Sequence, residues 1–87
     1  METPEPLIRQ IAEEIKSAML TAGMSQRALA DATGLPLVTL SRRLTGAGKP
    51  FDLAELALVA AAVNLSLVEL IMRAERTMLT RPTPAAA

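Results

Sequence analysis

The chain predicts an all-α fold, a compact bundle of five short helices, on three observations. Half of its 87 residues are hydrophobic (51%), yet Phe51 is the only aromatic. The core must therefore be leucine, alanine, isoleucine, valine and methionine, which suits packed helices better than sheets. Apolar residues recur at three- and four-residue steps, and glycine, proline or asparagine punctuates each recurrence. At this length the chain is one small domain that buries roughly 60–65% of the surface its unfolded form exposes.

The elements follow in order. Residues 6–22 read as the first helix, with Leu7, Ile8, Ile11, Ile15 and Met19 on one face and Arg9, Gln10, Glu13, Glu14 and Lys16 on the other. Pro4 and Pro6 fit only in or before its first turn, and Gly23 stops it. Ser25 offers a side-chain cap for a second helix, residues 26–33, which points Leu29 and Ala30 inward and ends at Gly34. Pro36 opens a third helix, residues 37–45, with Leu40 and Leu44 as its inner edge. Residues 46–50 are a loop by turn chemistry. Asp52 caps a fourth helix running to Val63, and Asn64 takes the left-handed position after it. Ser66 and Glu69 form a capping box, with Leu65 and Leu70 as a hydrophobic staple, for a fifth helix of residues 67–78. Residues 1–78 are then the domain, and residues 79–87, ending "RPTPAAA", a flexible tail.

Composition excludes much. Cysteine is absent, so there is neither a disulfide framework nor a thiolate metal site. Histidine, the usual general base near neutral pH and the commonest metal ligand, is absent too, as are tryptophan and tyrosine. Catalysis, a metal, a cofactor and a small-molecule ligand are not expected. The longest mostly apolar run, residues 53–63, is far below the roughly 20 residues of a membrane span and contains Glu55. The acidic, proline-bearing start is unlike a signal peptide, and a cytoplasmic location is expected.

The stretch "QRALADATGLPLVTLSRRLTG", residues 26–46, sets Gln26, Leu29, Ala30, Gly34, Leu35 and Leu40 at telling intervals. Two helices crossing steeply through a short turn need a small residue where their backbones approach, which Ala30 supplies. They also need a residue tolerant of positive φ in the turn, which Gly34 supplies. Leu29, Leu35 and Leu40 fill the wedge between them. Over about residues 7–77 the chain resembles the phage repressor and Cro-like (XRE-type) helix-turn-helix DNA-binding family. That resemblance implies a lambda-repressor-like bundle whose helices 2 and 3 form the motif, with the N-terminal part of helix 3 in the DNA major groove. Two positions depart from the family pattern. Pro36 stands where a hydroxyl cap is frequent, and Arg43-Leu44 where an apolar then an acidic residue is frequent.

On a helical wheel with Leu40 inward, Val38 and Arg42 point most directly outward, flanked by Thr39, Ser41 and Thr45. Arg42 is the expected guanine reader, Val38 and Leu37 the contacts to thymine methyls, and Thr39 and Ser41 reach base or phosphate. Gln26 matches the family position that donates to phosphate. Arg27, Arg43, Thr45 and Lys49 are expected on the DNA backbone. Two arrangements of the arginine pair stay open. Helix 3 can be rotated slightly, with the roles of Arg42 and Arg43 exchanged, or Arg43 can lie along the protein with only its tip near phosphate. The zero net charge is segregated accordingly: residues 25–50 carry four bases against Asp31, while acids exceed bases on either side.

The fourth and fifth helices are apolar on more than one side, the mark of a central helix or of one covered by a partner. The fourth is expected to be central. The fifth, through Val68, Ile71, Met72, Glu75, Met78 and Leu79, is expected to make a two-fold dimer. The chain thus reads as a sequence-specific regulator of double-stranded DNA, most simply a phage- or prophage-type repressor seated on its operator as a homodimer. Alternatives are an antitoxin that represses its own operon and neutralises a toxin through its last helix, and a helical protein-interaction bundle without DNA binding.

Overall fold

The computed structural model describes residues 5–80. They form α1 (Glu5–Ala22), α2 (Gln26–Thr33), α3 (Leu37–Thr45), α4 (Leu53–Ala62) and α5 (Leu67–Thr80), with no strand among the described residues. The caps read from the sequence set these boundaries. Ser25 Oγ accepts the Ala28 N–H at 3.1 Å. Ser66 and Glu69 close a reciprocal capping box at the start of α5. Asp52 caps α4 by accepting the Glu55 N–H at 2.7 Å, and Glu55 answers by accepting the Asp52 N–H at 3.0 Å, a second box. Asn64 leaves α4 at a φ of 63°, as its short polar side chain permits.

One core joins all five helices. Ile15, Leu29, Leu40, Leu44, Val59 and Leu70 are its largest fully buried side chains, with Phe51 from the loop before α4. The first helix packs chiefly on α5 and also on α3, while α2 bridges α3 and α4, and α4 also rests on α5. Leu65 packs on this core beside the cap it staples.

The sequence assigned Gln10 and Glu14 to the solvent face of α1, and here the structure differs. Gln10 is buried, and its Nε2 donates to Glu14 Oε2 at 2.9 Å. The same carboxylate oxygen accepts from Thr77 Oγ1 of α5, also at 2.9 Å. With α5 covering that flank, the apolar stripe of α1 is bordered by a polar tie between the two helices. Glu13, by contrast, is exposed and paired with Lys16 at 2.8 Å.

Two further expectations are corrected. The fourth helix is not central: it buries Val59 and Ala60 but exposes Leu53, Ala54, Ala57, Leu58 and Ala61. With four other short helices to pack on, only one side of it finds neighbours. The fifth helix continues two residues past Met78, so Leu79 and Thr80 belong to it rather than to a tail, and Thr80 Oγ1 donates back to the Arg76 carbonyl. The rest of the expected tail, residues 81–87, lies outside the described residues.

Candidate nucleic-acid interface

The turn between α2 and α3 is built from backbone chemistry. Gly34 sits at φ 79°, a left-handed conformation that glycine adopts without a Cβ penalty, and its N–H donates to the Ala30 carbonyl at 2.8 Å. Thr33 secures the exit: its Oγ1 donates to the Leu29 carbonyl at 2.8 Å and accepts the Leu35 N–H at 3.3 Å. Leu29 and Leu40 are fully buried and Ala30 nearly so, while Leu35 packs on the core from its edge. Pro36 supplies no side-chain cap to α3.

With Leu40 and Leu44 anchored inward, the other residues of α3 divide into an outer face and two flanks. Val38 is 68% exposed, and Leu37 and Arg42 are exposed beside it. Thr39 and Ser41 are half-buried. Leu37, Val38, Ser41 and Arg42 line a shallow groove with Gln26 and Arg27 from the start of α2. The structure therefore brings six of the sequence-selected residues onto one surface. Thr45 and Lys49 are exposed farther along, at the end of α3 and in the following loop. The Thr45 hydroxyl donates to the Ser41 carbonyl at 3.0 Å, so its proton is committed within the helix.

The cations of this region are not alike. Among the described residues, the charged ends of Arg27, Arg42 and Lys49 make no ion pair and no hydrogen bond. Arg43 is engaged on every side. Its Nε donates to Glu55 Oε1 at 3.1 Å, its Nη2 to Glu55 Oε2 at 3.5 Å and its Nη1 to the Lys49 carbonyl at 3.3 Å. Both side chains of the pair are only 15% exposed. Of the two open arrangements, the structure thus lays Arg43 along the protein, against α4, rather than leaving it extended toward solvent. The hydrogen bond from Arg43, followed by that from the Asp52 N–H, holds the Glu55 carboxyl below its usual pKa.

Glu55 is the residue that sequence reading missed. Its signal was available: a carboxylate interrupting an otherwise apolar helix, three residues after the Asp52 cap. The expected dimer residues of α5 also separate. Val68, Met72, Glu75 and Leu79 recur at four-, three- and four-residue steps and are exposed, whereas Ile71 and Met78 are half-buried, Ile71 against the core. No group of three or more metal-ligating side chains gathers among the described residues, and none of their helices is long and apolar enough by itself to cross a membrane.

A family model described as helix-turn-helix matches residues 15–70, from the middle of α1 into α5. No curated protein and no solved structure matches the chain. A match over most of the chain, on a five-helix fold whose α2 and α3 meet at a left-handed glycine, identifies it: the protein belongs to the Cro-like, XRE-type helix-turn-helix family of DNA-binding transcription regulators.

Proposed function

We propose that the protein is a small repressor of phage or prophage type that binds its operator as a homodimer and blocks transcription sterically, in the cytoplasm of a bacterial or phage-infected cell. The observation that carries this reading is the outer face of α3, where Val38 and Arg42 stand exposed beside Gln26 and Arg27 with no acid paired to them. In the major groove Arg42 donates two hydrogen bonds to guanine O6 and N7, and Val38 and Leu37 meet thymine methyls. Thr39 and Ser41 take neighbouring base or phosphate positions, and Gln26, Arg27 and Lys49 hold the DNA backbone and set the register. Thr45 joins them only where its hydroxyl leaves the Ser41 carbonyl.

The exposed stripe of Val68, Met72, Glu75 and Leu79 on α5 supports the dimer, the occupant being a second copy of the chain. Val68 is 63% and Met72 50% exposed, apolar surface that a two-fold contact would cover. Such a dimer places two α3 helices in successive major grooves, about 34 Å apart. Selection of bound duplexes from a random pool, at a stated salt concentration, tests this. The expected product is a two-fold symmetric sequence with half-sites about one helical turn apart. Recovery of no preferred sequence would refute the operator, and recovery of a lone half-site would refute the dimer.

A further inference from the structure

Glu55 lies on α4 rather than α3, yet its carboxylate binds a side chain of α3, Arg43. We propose that Glu55 is a positioning residue that acts through Arg43: it holds the guanidinium against α4 and so withholds one positive charge from the phosphate backbone. The inference rests on the DNA-binding reading above and adds a control on how strongly the protein holds DNA of any sequence.

The geometry is that of a built site. Glu55 is held by a second set of contacts besides Arg43, since it closes the capping box with Asp52 through hydrogen bonds of 2.7 and 3.0 Å. Its Oε1 accepts from both the Asp52 N–H and Arg43 Nε, and its Oε2 faces Arg43 Nη2. The third guanidinium nitrogen is tied to the Lys49 carbonyl, so Arg43 also joins α3 to the loop bearing Lys49. A planar guanidinium can satisfy this carboxylate edge and a carbonyl together, whereas a lysine ammonium could not reproduce the fork. An exposed ion pair would exchange readily with phosphate. At 15% exposure, and with every nitrogen engaged, this one is preorganised against that exchange.

The consequence is electrostatic. Sequence-independent affinity grows with each phosphate neutralised, and the slope of log K against log salt steepens by about 0.9 per contact. Arg43 neighbours Arg42 on a helix that lies in the groove, so a released guanidinium would gain a phosphate. The chain would then hold non-operator DNA more tightly without reading any further base. Keeping Arg43 paired leaves Arg27, Arg42 and Lys49 as the unpaired cations of residues 25–50.

The test is the salt dependence of binding to an unrelated duplex, measured for the full chain, Glu55→Gln and the double variant Arg43→Met/Glu55→Gln. Glutamine keeps an acceptor for the Asp52 N–H while removing the charge that holds Arg43. The expected result for Glu55→Gln is, per protomer, a slope steeper by about 0.9 and an affinity roughly fivefold higher near 0.15 M salt. The double variant, of unchanged net charge, is expected to return to the parent slope. An unchanged slope in Glu55→Gln overturns the proposal. So does a double variant as steep as Glu55→Gln, since Glu55 would then act by repelling phosphate directly rather than through Arg43. If Glu55→Gln does not fold, Glu55→Ala is measured in its place with the same expectations, and a double variant shallower than the parent, showing that Arg43 already contacts phosphate, overturns the proposal. Absence of salt-dependent binding by the parent chain removes the DNA reading itself, an outcome distinct from all of these.

Discussion

Arg42 and Arg43 are adjacent in sequence and carry the same charge, yet the structure gives them opposite situations. One helical step of about 100° separates them. Arg42 lands on the outer face beside Val38, with its guanidinium unpaired, while Arg43 lands on the flank toward α4 and is bound to Glu55 and the Lys49 carbonyl. A basic pair on a helix is therefore not a count of two DNA contacts. What surrounds each side chain decides whether its charge is available, and a single well-placed carboxylate changes the sum.

The same division between faces predicts the largest effect. Leu40 and Val38 lie two residues apart on α3, one fully buried and the other exposed. Leu40→Ala is expected to destabilise the fold by about 2–5 kcal/mol, read from urea unfolding, because it opens a cavity where helices 2 and 3 meet. Val38→Ala is expected to change stability by no more than about 0.5 kcal/mol. Equal losses would mean that the two sides of α3 are not distinguished as described.

Next in size is the pair of arginines. Arg43→Ala leaves Glu55 without its cation and is expected to cost about 1–2 kcal/mol of folding stability, between the values for exposed and buried pairs. Arg42→Ala breaks no contact within the chain and is expected to leave the unfolding midpoint unchanged. Lys49→Ala sharpens the contrast from the binding side: affinity for operator and unrelated duplex is expected to fall together, with the salt slope flattened by about 0.9 per protomer. A loss confined to the operator would make Lys49 a reader of sequence.

The smallest effect is on pH dependence. Glu55 has its folded pKa lowered below 4.5, so its stabilisation is present above that value and is lost as pH falls through the lowered one. Between about pH 5 and about pH 3, the parent chain is therefore expected to lose more stability than Glu55→Gln. Parallel acid limbs in thermal unfolding would contradict this.

Much of the fold was legible because local signals coincide with tertiary need. The Ser25 cap, the Gly34 turn, the Asn64 exit and the Ser66–Glu69 box are each short-range chemistry, and all four form as the sequence implies. The family also could be read from Ala30, Gly34 and their flanking leucines. Illegible features depended on long-range neighbours. Gln10 and Glu14 read as solvent-facing because nothing local announces that Thr77, 63 residues beyond Glu14, would bond to that carboxylate. The fourth helix read as central because its composition is apolar all round, whereas its burial is set by how few helices can surround it. The Arg43–Glu55 pair spans a loop whose path the sequence does not fix.

In the proposed function it is the outer face of α3, through Arg42, that reads base sequence. The ratio of operator to unrelated-duplex affinity for the parent chain and for Arg42→Ala, at one salt concentration, tests it most directly. A fall in that ratio of roughly 5- to 150-fold, the equivalent of about 1–3 kcal/mol of discrimination, is the predicted result. A variant that weakens equally on both duplexes would make Arg42 a phosphate contact, and an unaltered ratio at unaltered affinity would remove α3 from the interface.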